Sequence, residues 1–274
     1  MKTFTSISLA LALAASLAAP SSFAGAIHDA NLFTTNTLPA NDDGSTGPVN
    51  MGFTANINGA DFTQTYVNNN GNITFSNTLG TYTPSAIDNG SAGPIIAPFF
   101  ADVWTFGNSG LVQYGQSTID GHAAFGVNWI GVNYYADNTG SKQNSFQLIL
   151  IARPDIGVGD FDIQFNYDQI QWETGDASGG SNGLGGTSAL AGYWTSATSH
   201  DTLTGSLVNG ALIDGGPNAL ISNSVNSTVL GQYSFQVRNG VVVTNDVPEP
   251  GSLALMGLAL LAGLGFTARK KRVS

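Results

Sequence analysis

Apolar and polar residues alternate most regularly between positions 161 and 167, which read Phe-Asp-Ile-Gln-Phe-Asn-Tyr. Successive side chains of a β-strand point to opposite faces, so this run predicts a strand with one face in the core. The residues expected in the core are Phe161, Ile163, Phe165 and Tyr167. The residues expected to face water are Asp162, Gln164 and Asn166.

Short apolar runs separated by Gly, Asn and Asp clusters fill the rest of the central chain. The runs predicted as strands are 62–67, 72–76, 111–114, 123–134, 145–152, 189–194, 233–237 and 241–243. The turn residues Asn68–Gly71 predict a hairpin between the first two. Residues 94–104 contain two prolines, which favours an edge strand or a bent entry. Residues 38–51 and 174–187 are predicted loops. The pattern predicts an all-β fold with mainly antiparallel, sandwich-like sheets.

The N-terminus has the three parts of a secretory signal peptide. Lys2 precedes an apolar run over residues 7–19, and the small residues Ser22 and Ala24 follow it. This order predicts cleavage by signal peptidase after Ala24, with cleavage after Ala26 as the alternative.

The C-terminus combines a rigid motif, an apolar stretch and a basic tail. The stretch over residues 251–268 holds no charged residue and would span about 27 Å as a helix, enough for a thin bilayer. It predicts one C-terminal transmembrane helix whose basic end prefers the cytoplasmic side. The residues of the motif and the tail are Pro248, Glu249, Pro250, Arg269, Lys270, Lys271 and Arg272.

This order of parts resembles the PEP-CTERM sorting signal of Gram-negative bacteria. The resemblance covers residues 247–274 and implies export followed by temporary retention in the inner membrane. It further implies that an exosortase cuts near residues 247–250 and that the protein then reaches the cell envelope, the surface or the medium. In that interpretation the apolar stretch serves sorting and is not a permanent part of the protein.

Charge excludes one class of partner. The chain has 8 Lys and Arg against 18 Asp and Glu, a formal charge of −10. Five of the basic residues lie in the two terminal segments, which leaves Lys142, Arg153 and Arg238 in the central part. Nucleic acid is therefore a poor partner, whereas divalent cations are plausible ones. The absence of cysteine excludes disulfides, thiolate metal sites and cysteine nucleophiles.

Seven runs in the central part stand out together, in this order: VNNNGNITF (67–75), IAPFFADVW (96–104), GLVQY (110–114), NSFQ (144–147), FNYDQIQW (165–172), AGY (191–193) and GQYSFQVR (231–238). Taken together, they resemble the nidogen-like extracellular domain, the NIDO domain. The resemblance implies an extracellular, mainly β module of the kind found in matrix and adhesion proteins. It brings no catalytic residues to this chain.

Candidate chemistry rests on carboxylates. Asp160 and Asp162 would project to the same side of a strand, where they could ligate Ca²⁺ or act as the acid and base of a glycoside hydrolase. We favour a third alternative, a solvated outer face, over both. The pair is the candidate calcium site if an ion binds, and we expect no other cofactor. Asp102 stands among apolar neighbours and must be paired if buried, through turn amides, through Arg153 or Arg238, or through an ion. We favour a structural hydrogen-bonding role for it.

No nucleophile elbow accompanies these acids. The sequence GGSNG at residues 179–183 matches the pattern G-x-S-x-G, but it lies in a predicted Gly-rich loop without the strand–turn–helix context that such an elbow needs. The chain has three histidines, and we predict that the protein is not an enzyme.

The predicted organisation is a signal peptide (1–24), an N-terminal extension of the β domain (25–60), a NIDO-like β domain (61–246) and a sorting segment (247–274). We predict an exported protein of the cell surface or extracellular matrix that acts in cell–matrix adhesion or in exopolysaccharide and biofilm association. The alternatives are a calcium-dependent carbohydrate-binding module and a carbohydrate-active hydrolase. Expected partners are signal peptidase, exosortase, the inner membrane before processing, and extracellular polysaccharide or matrix.

Overall fold

A computed structural model describes residues 25–85 and 92–243. The predicted signal peptide, the Pro-Glu-Pro motif, the predicted transmembrane helix and the basic tail lie outside these residues. Within the described ranges, no helix has the length and apolar character needed to cross a membrane.

The described residues form strands and two short 3-10 turns, Asp176–Ser178 and Leu220–Ser222. The strands are β1 (Asn36–Thr37), β2 (Val49–Ile57), β3 (Ala60–Asn68), β4 (Asn72–Thr74), β5 (Ile95–Phe100), β6 (Val103–Trp104), β7 (Val112–Ile119), β8 (His122–Tyr134), β9 (Asn144–Ala152), β10 (Phe161–Gln169), β11 (Gly180–Ser181), β12 (Leu184–Gly185), β13 (Leu190–Ser196), β14 (Ser199–Thr202), β15 (Gln232–Arg238) and β16 (Val241–Val243).

Two antiparallel sheets contain nearly all of these strands. The first sheet has the order β1-β7-β8-β9-β10-β15-β16, and β6 also pairs with β8. The second has the order β14-β13-β5-β4-β3-β2, and β11 and β12 form a separate ribbon. The prediction of an all-β, antiparallel fold is confirmed for the described residues.

Aromatic side chains from both sheets meet in one core. The ring of Phe99 on β5 lies 5.3 Å from that of Phe146 on β9 and 5.7 Å from that of Trp172, measured between centroids. Trp129 stacks on Phe146 at 5.2 Å. The hydroxyl of Tyr167 on β10 donates a 2.6 Å hydrogen bond to the carbonyl of Pro98 on β5. The two sheets thus face each other across a shared apolar layer, as in a β-sandwich.

Residues 25–35, which we call the N-terminal strap, cover the outer face of the first sheet. The backbone of His28 exchanges two hydrogen bonds with the Gln147 side chain, at 3.1 and 3.0 Å. The Asn128 side chain donates to the carbonyl of Leu32 at 2.8 Å. Phe33 is buried against Gly126, where any side chain would collide with its ring. The strap therefore adds a third layer to part of the sandwich.

A ladder of side-chain amides runs across four strands beneath the strap. Gln232 donates to Asn166, Asn166 to Gln147, and Gln147 to Asn128, with distances of 3.4, 3.0 and 2.8 Å. These residues stand directly opposite one another in the strand registers. Each interior amide is thereby hydrogen-bonded, which offsets the cost of burying it.

The ladder corrects one prediction for β10. The four apolar residues of the alternating run are buried as predicted, but Gln164 and Asn166 are buried as well. The expectation that they face water is wrong because the strap lies over that face of the sheet. Asp162 alone among the three polar residues remains partly exposed.

The proline-containing run at 94–104 carries the chain from one sheet to the other. β5 lies between β13 and β4, so the edge-strand alternative is wrong. The alternative of a bent segment is right. The pairing of β5 with β13 is irregular around Pro98. The chain then crosses to the first sheet, where β6 pairs with β8. Ala101 and Asp102 form this crossing between the sheets.

Asp137 organises the loop between β8 and β9. Its carboxylate accepts hydrogen bonds from the backbone amides of Thr139, Gly140 and Lys142 at 3.0–3.1 Å and from two hydroxyls. Burial acts to raise the pKa of Asp137, but the hydrogen bonds outweigh it and lower the pKa to about 2.

The lowered pKa gives a pH-dependent prediction. The ionised carboxylate stabilises the fold above the unfolded pKa of 3.8, and that contribution is lost as pH falls through about 2. We expect Asp137→Asn to lower the free energy of unfolding by about 1 kcal/mol at pH 7. Urea titrations at pH 7 and pH 2 check this. The difference from the wild type should shrink towards zero at pH 2, and an equal difference at both pH values would contradict it.

Candidate functional site

Three carboxylates converge where the chain crosses between the sheets. One oxygen from each of Asp42, Asp43 and Asp102 lies within 4.8 Å of the other two. Asp42 and Asp43 belong to residues 38–48, which we call the acid loop, and Asp102 belongs to the crossing. We call the three residues the acidic site.

The Asn-rich turn between β3 and β4 positions both halves of this site. The Asn70 side chain donates to the Asp43 carboxylate at 2.8 Å and accepts from the backbone amide of Val103 at 2.9 Å. The Asn69 side chain donates to the backbone carbonyls of Asp42 and Val103. A turn that was predicted only as a hairpin connection therefore links the acid loop to the crossing.

Asp102 is the most buried member of the site, with 2% of its surface exposed. Its Oδ2 is buried and has no hydrogen-bond partner, and the same holds for Oδ1 of Asp42. Among the described residues, no arginine or lysine forms an ion pair with either carboxylate. Pairing of Asp102 with Arg153 or Arg238, one of the alternatives from the sequence, is therefore not what the structure shows.

Glu173 shows how the fold treats another buried acid. It is fully buried, and its two carboxylate oxygens accept 2.6 Å hydrogen bonds from the backbone amides of Gly210 and Leu212. Burial still raises its pKa, although these hydrogen bonds oppose the shift. Both oxygens of Glu173 thus have partners, whereas Oδ2 of Asp102 has none.

The electrostatics of the acidic site follow from this lack of partners. Burial, followed by the charges of Asp42, Asp43 and Asp176, raises the pKa of Asp102 to about 7. Burial and the charge of Asp43 raise the pKa of Asp42 to about 6. Both shifts have the sign expected for crowded anions that lack a cation.

The residues predicted as a calcium site lie in a different place and have protein partners. Asp162 binds Arg153 through one oxygen at 2.8 Å and Arg238 through the other at 2.5 Å. Asp160 is buried and accepts a 2.8 Å hydrogen bond from the backbone amide of Asn239. These contacts account for both carboxylates without an ion or a substrate.

Sequence reasoning singled out Asp102 but missed its neighbours. Asp42 and Asp43 stand in a segment whose composition predicted only a loop. The available signal was the adjacent acid pair in Asn41-Asp42-Asp43-Gly44, which resembles many surface turns. Only the tertiary contacts of Asn69 and Asn70 bring that pair to Asp102.

Comparison with known protein families gives one match within the described domain and one beyond its C-terminal end. The profile of the nidogen-like domain matches residues 63–239, and that of the PEP-CTERM protein-sorting motif matches residues 246–272. Together the two matches indicate an exported, exosortase-sorted extracellular protein. The predicted resemblances to both families are thereby confirmed.

Similar curated proteins are much longer than this chain. Alpha-tectorin of Gallus gallus is 29% identical over 251 residues, which cover 82% of this chain and 11% of that protein. Alpha-tectorin of Mus musculus is 29% identical over 225 residues, which cover 73% of this chain and 10% of that protein. The chain thus spans about a tenth of the length of these relatives. No solved structure matches significantly. With the family profile covering most of the chain, this protein belongs to the nidogen-like domain family.

Proposed function

We propose that the protein is a non-enzymatic component of the cell surface or extracellular matrix that acts in adhesion or in association with exopolysaccharide. The observation that carries the proposal is the pairing of a nidogen-like domain with a C-terminal sorting motif in one chain. The charges on the surface of the described domain are consistent with this proposal. Of the three basic residues in the described domain, the two arginines are paired with Asp162, and Lys142 donates to a backbone carbonyl.

That charge distribution favours some partners over others. The exposed residues are mainly Asp, Asn, Ser and Thr, whose oxygens and amides hydrogen-bond to sugar hydroxyls and to hydrated cations. Anionic partners such as nucleic acid would meet repulsion from the acidic surface. Neutral polysaccharide, or acidic polysaccharide bridged by divalent cations, therefore fits this surface best.

Processing at both termini provides the test of sorting. We propose that signal peptidase acts after Ala24 and that the sorting segment holds a precursor in the inner membrane until exosortase cuts it. Ala26 is buried and its amide donates to the carbonyl of Tyr167. Cleavage after Ala24 keeps this packed residue in the mature protein, whereas cleavage after Ala26 would remove it. Mass spectrometry of the released protein should find Gly25 at its N-terminus and no basic tail.

Replacement of Pro248, Glu249 and Pro250 by alanine should retain the uncleaved precursor in the membrane fraction. A control with Thr244→Ala and Asn245→Ala changes neighbouring residues and leaves the motif intact. Immunoblots of the membrane, envelope and medium fractions compare the two variants with the wild type. Normal release and processing of the motif variant would refute the sorting proposal.

Adhesion itself needs a separate measurement. Cells that lack the protein should lose surface attachment or retain less exopolysaccharide, and the wild-type chain should restore both. A motif variant that stays in the membrane should restore neither. Full attachment without the protein would leave sorting intact and overturn the proposed role.

A further inference from the structure

The acidic site concentrates negative charge that the described protein does not neutralise. Three carboxylates lie within reach of one point, and two of their oxygens are buried without a hydrogen-bond donor. Leaving a buried charge unpaired costs several kcal/mol, which is why such groups normally find a partner. Glu173 finds two backbone amides, whereas Asp102 turns its Oδ2 towards no donor.

The framework around the site holds these acids together through neutral contacts. On one side of the acid pair, Asn41 exchanges backbone and side-chain hydrogen bonds with Thr105 at 2.8–3.1 Å. On the other side, the amide of Thr46 donates to the carbonyl of Val67, and its hydroxyl accepts from the amide of Val67. The bend that carries Asp42 and Asp43 is therefore fixed at both ends. The backbone of the two acids therefore cannot move away from the crossing without breaking these bonds.

We propose that Asp42, Asp43 and Asp102 bind one Ca²⁺ ion, which clamps the acid loop to the crossing between the two sheets. Ca²⁺ takes six to eight oxygen ligands at about 2.3–2.6 Å, so two ligands on opposite sides of the ion are about 4.8 Å apart. The three carboxylate oxygens meet this limit. Asp42 and Asp43 are partly exposed, which lets water supply the remaining ligands.

The position of the site gives the ion a structural task. The acid loop leads directly into β2 of the second sheet, and the crossing leads into β6 of the first sheet. An ion held by both segments connects the two sheets at one end of the sandwich. Extracellular calcium modules typically bind with Kd values of about 0.1–1 mM, so such a site would fill after export. The inference rests on the geometry of the site and not on the proposed role in adhesion.

Thermal unfolding of the purified full-length chain tests the inference. After treatment with EDTA and dialysis, 10 mM CaCl2 should raise the Tm by about 5 °C or more for a Kd of about 0.1 mM. Isothermal titration with CaCl2 should give about one ion per chain, and MgCl2 at the same concentration should produce a smaller shift.

Asp102→Asn provides the sharpest variant. It keeps the shape of the side chain but removes a buried charge, so its Tm should exceed that of the wild type in EDTA and should not respond to CaCl2. Asp120→Asn is the matched control: Asp120 is exposed in the β7–β8 turn at φ 50°, a conformation that Asn tolerates. This control should keep the full calcium response.

Two results would overturn the inference. One is a wild-type Tm that is equal in EDTA and in CaCl2, with no heat of binding. The other is a calcium shift in Asp102→Asn that equals the shift in the control. If Asp102→Asn does not fold, Asp43→Asn takes its place, and the wild-type titration still decides whether an ion binds.

Discussion

Replacing Gly71 by alanine is expected to lower the free energy of unfolding by more than about 3 kcal/mol. Gly71 ends the Asn-rich turn with a φ of 72°, and an added Cβ would collide with the carbonyl oxygen of Phe99 on β5. The amide of Phe99 also donates to the carbonyl of Gly71 at 3.2 Å, so neither backbone can retreat freely. The change would disturb Asn69 and Asn70 at the same time.

Gly59→Ala separates the collision from the cost of the backbone conformation. Gly59 has a φ of 81° in the β2–β3 turn, but an added Cβ would meet no atom within 4 Å. The alanine should therefore lower the free energy of unfolding by only about 1 kcal/mol, which is the cost of placing a side chain in the left-handed conformation. Denaturant unfolding of both variants measures the difference. Equal losses would mean that close packing at Gly71 contributes nothing.

Asp162→Asn is expected to lower the free energy of unfolding by about 2 kcal/mol or more. The change leaves Arg153 and Arg238 without the anion that both of them bind. The Asp162 side chain is 14% exposed and that of Arg238 is 11% exposed, so water replaces the lost contacts poorly. Arg153 is more accessible, which keeps the expected loss below that of a fully buried ion pair.

Asp155→Asn is the matched control, because Asp155 binds the same Arg153 at 3.0 Å on the exposed side. The Asp155 side chain is 44% exposed, and water screens surface pairs of this kind, so its loss should be clearly smaller than that of Asp162→Asn. Chemical denaturation in low salt compares the two variants. Similar losses in the free energy of unfolding would mean that the burial of Asp162 does not strengthen its ion pairs. Asp162→Asn should also keep any response to calcium, since its carboxylate is already paired within the protein.

Local sequence patterns were sufficient where neighbouring residues decide the structure. The hairpin of β3 and β4 follows from the turn residues Asn68–Gly71, and the buried side of β10 follows from strict alternation. The edge strand β16 at the end of the first sheet was also predicted. In each case the signal and the structure it determines lie within about ten residues of each other.

The failures share a different cause. Gln164 and Asn166 were expected in water because nothing near them in sequence indicates that the N-terminal strap covers them. Asp42 and Asp43 were missed because their place beside Asp102 depends on amides about 27 residues away. Asp102 was noticed only because an acid among apolar residues is unusual. Long-range contacts of polar side chains leave almost no local signal.

The N-terminal strap has a consequence for the order of folding during export. Its docking surface is the face of β8, β9 and β10, so its hydrogen bonds to Asn128 and Gln147 span 96 and 119 residues. A chain that emerges N-terminus first exposes Leu32 and Phe33 long before those strands arrive. Docking of the strap must therefore be a late event in vectorial folding, and until then the amide ladder has its outer face open to water.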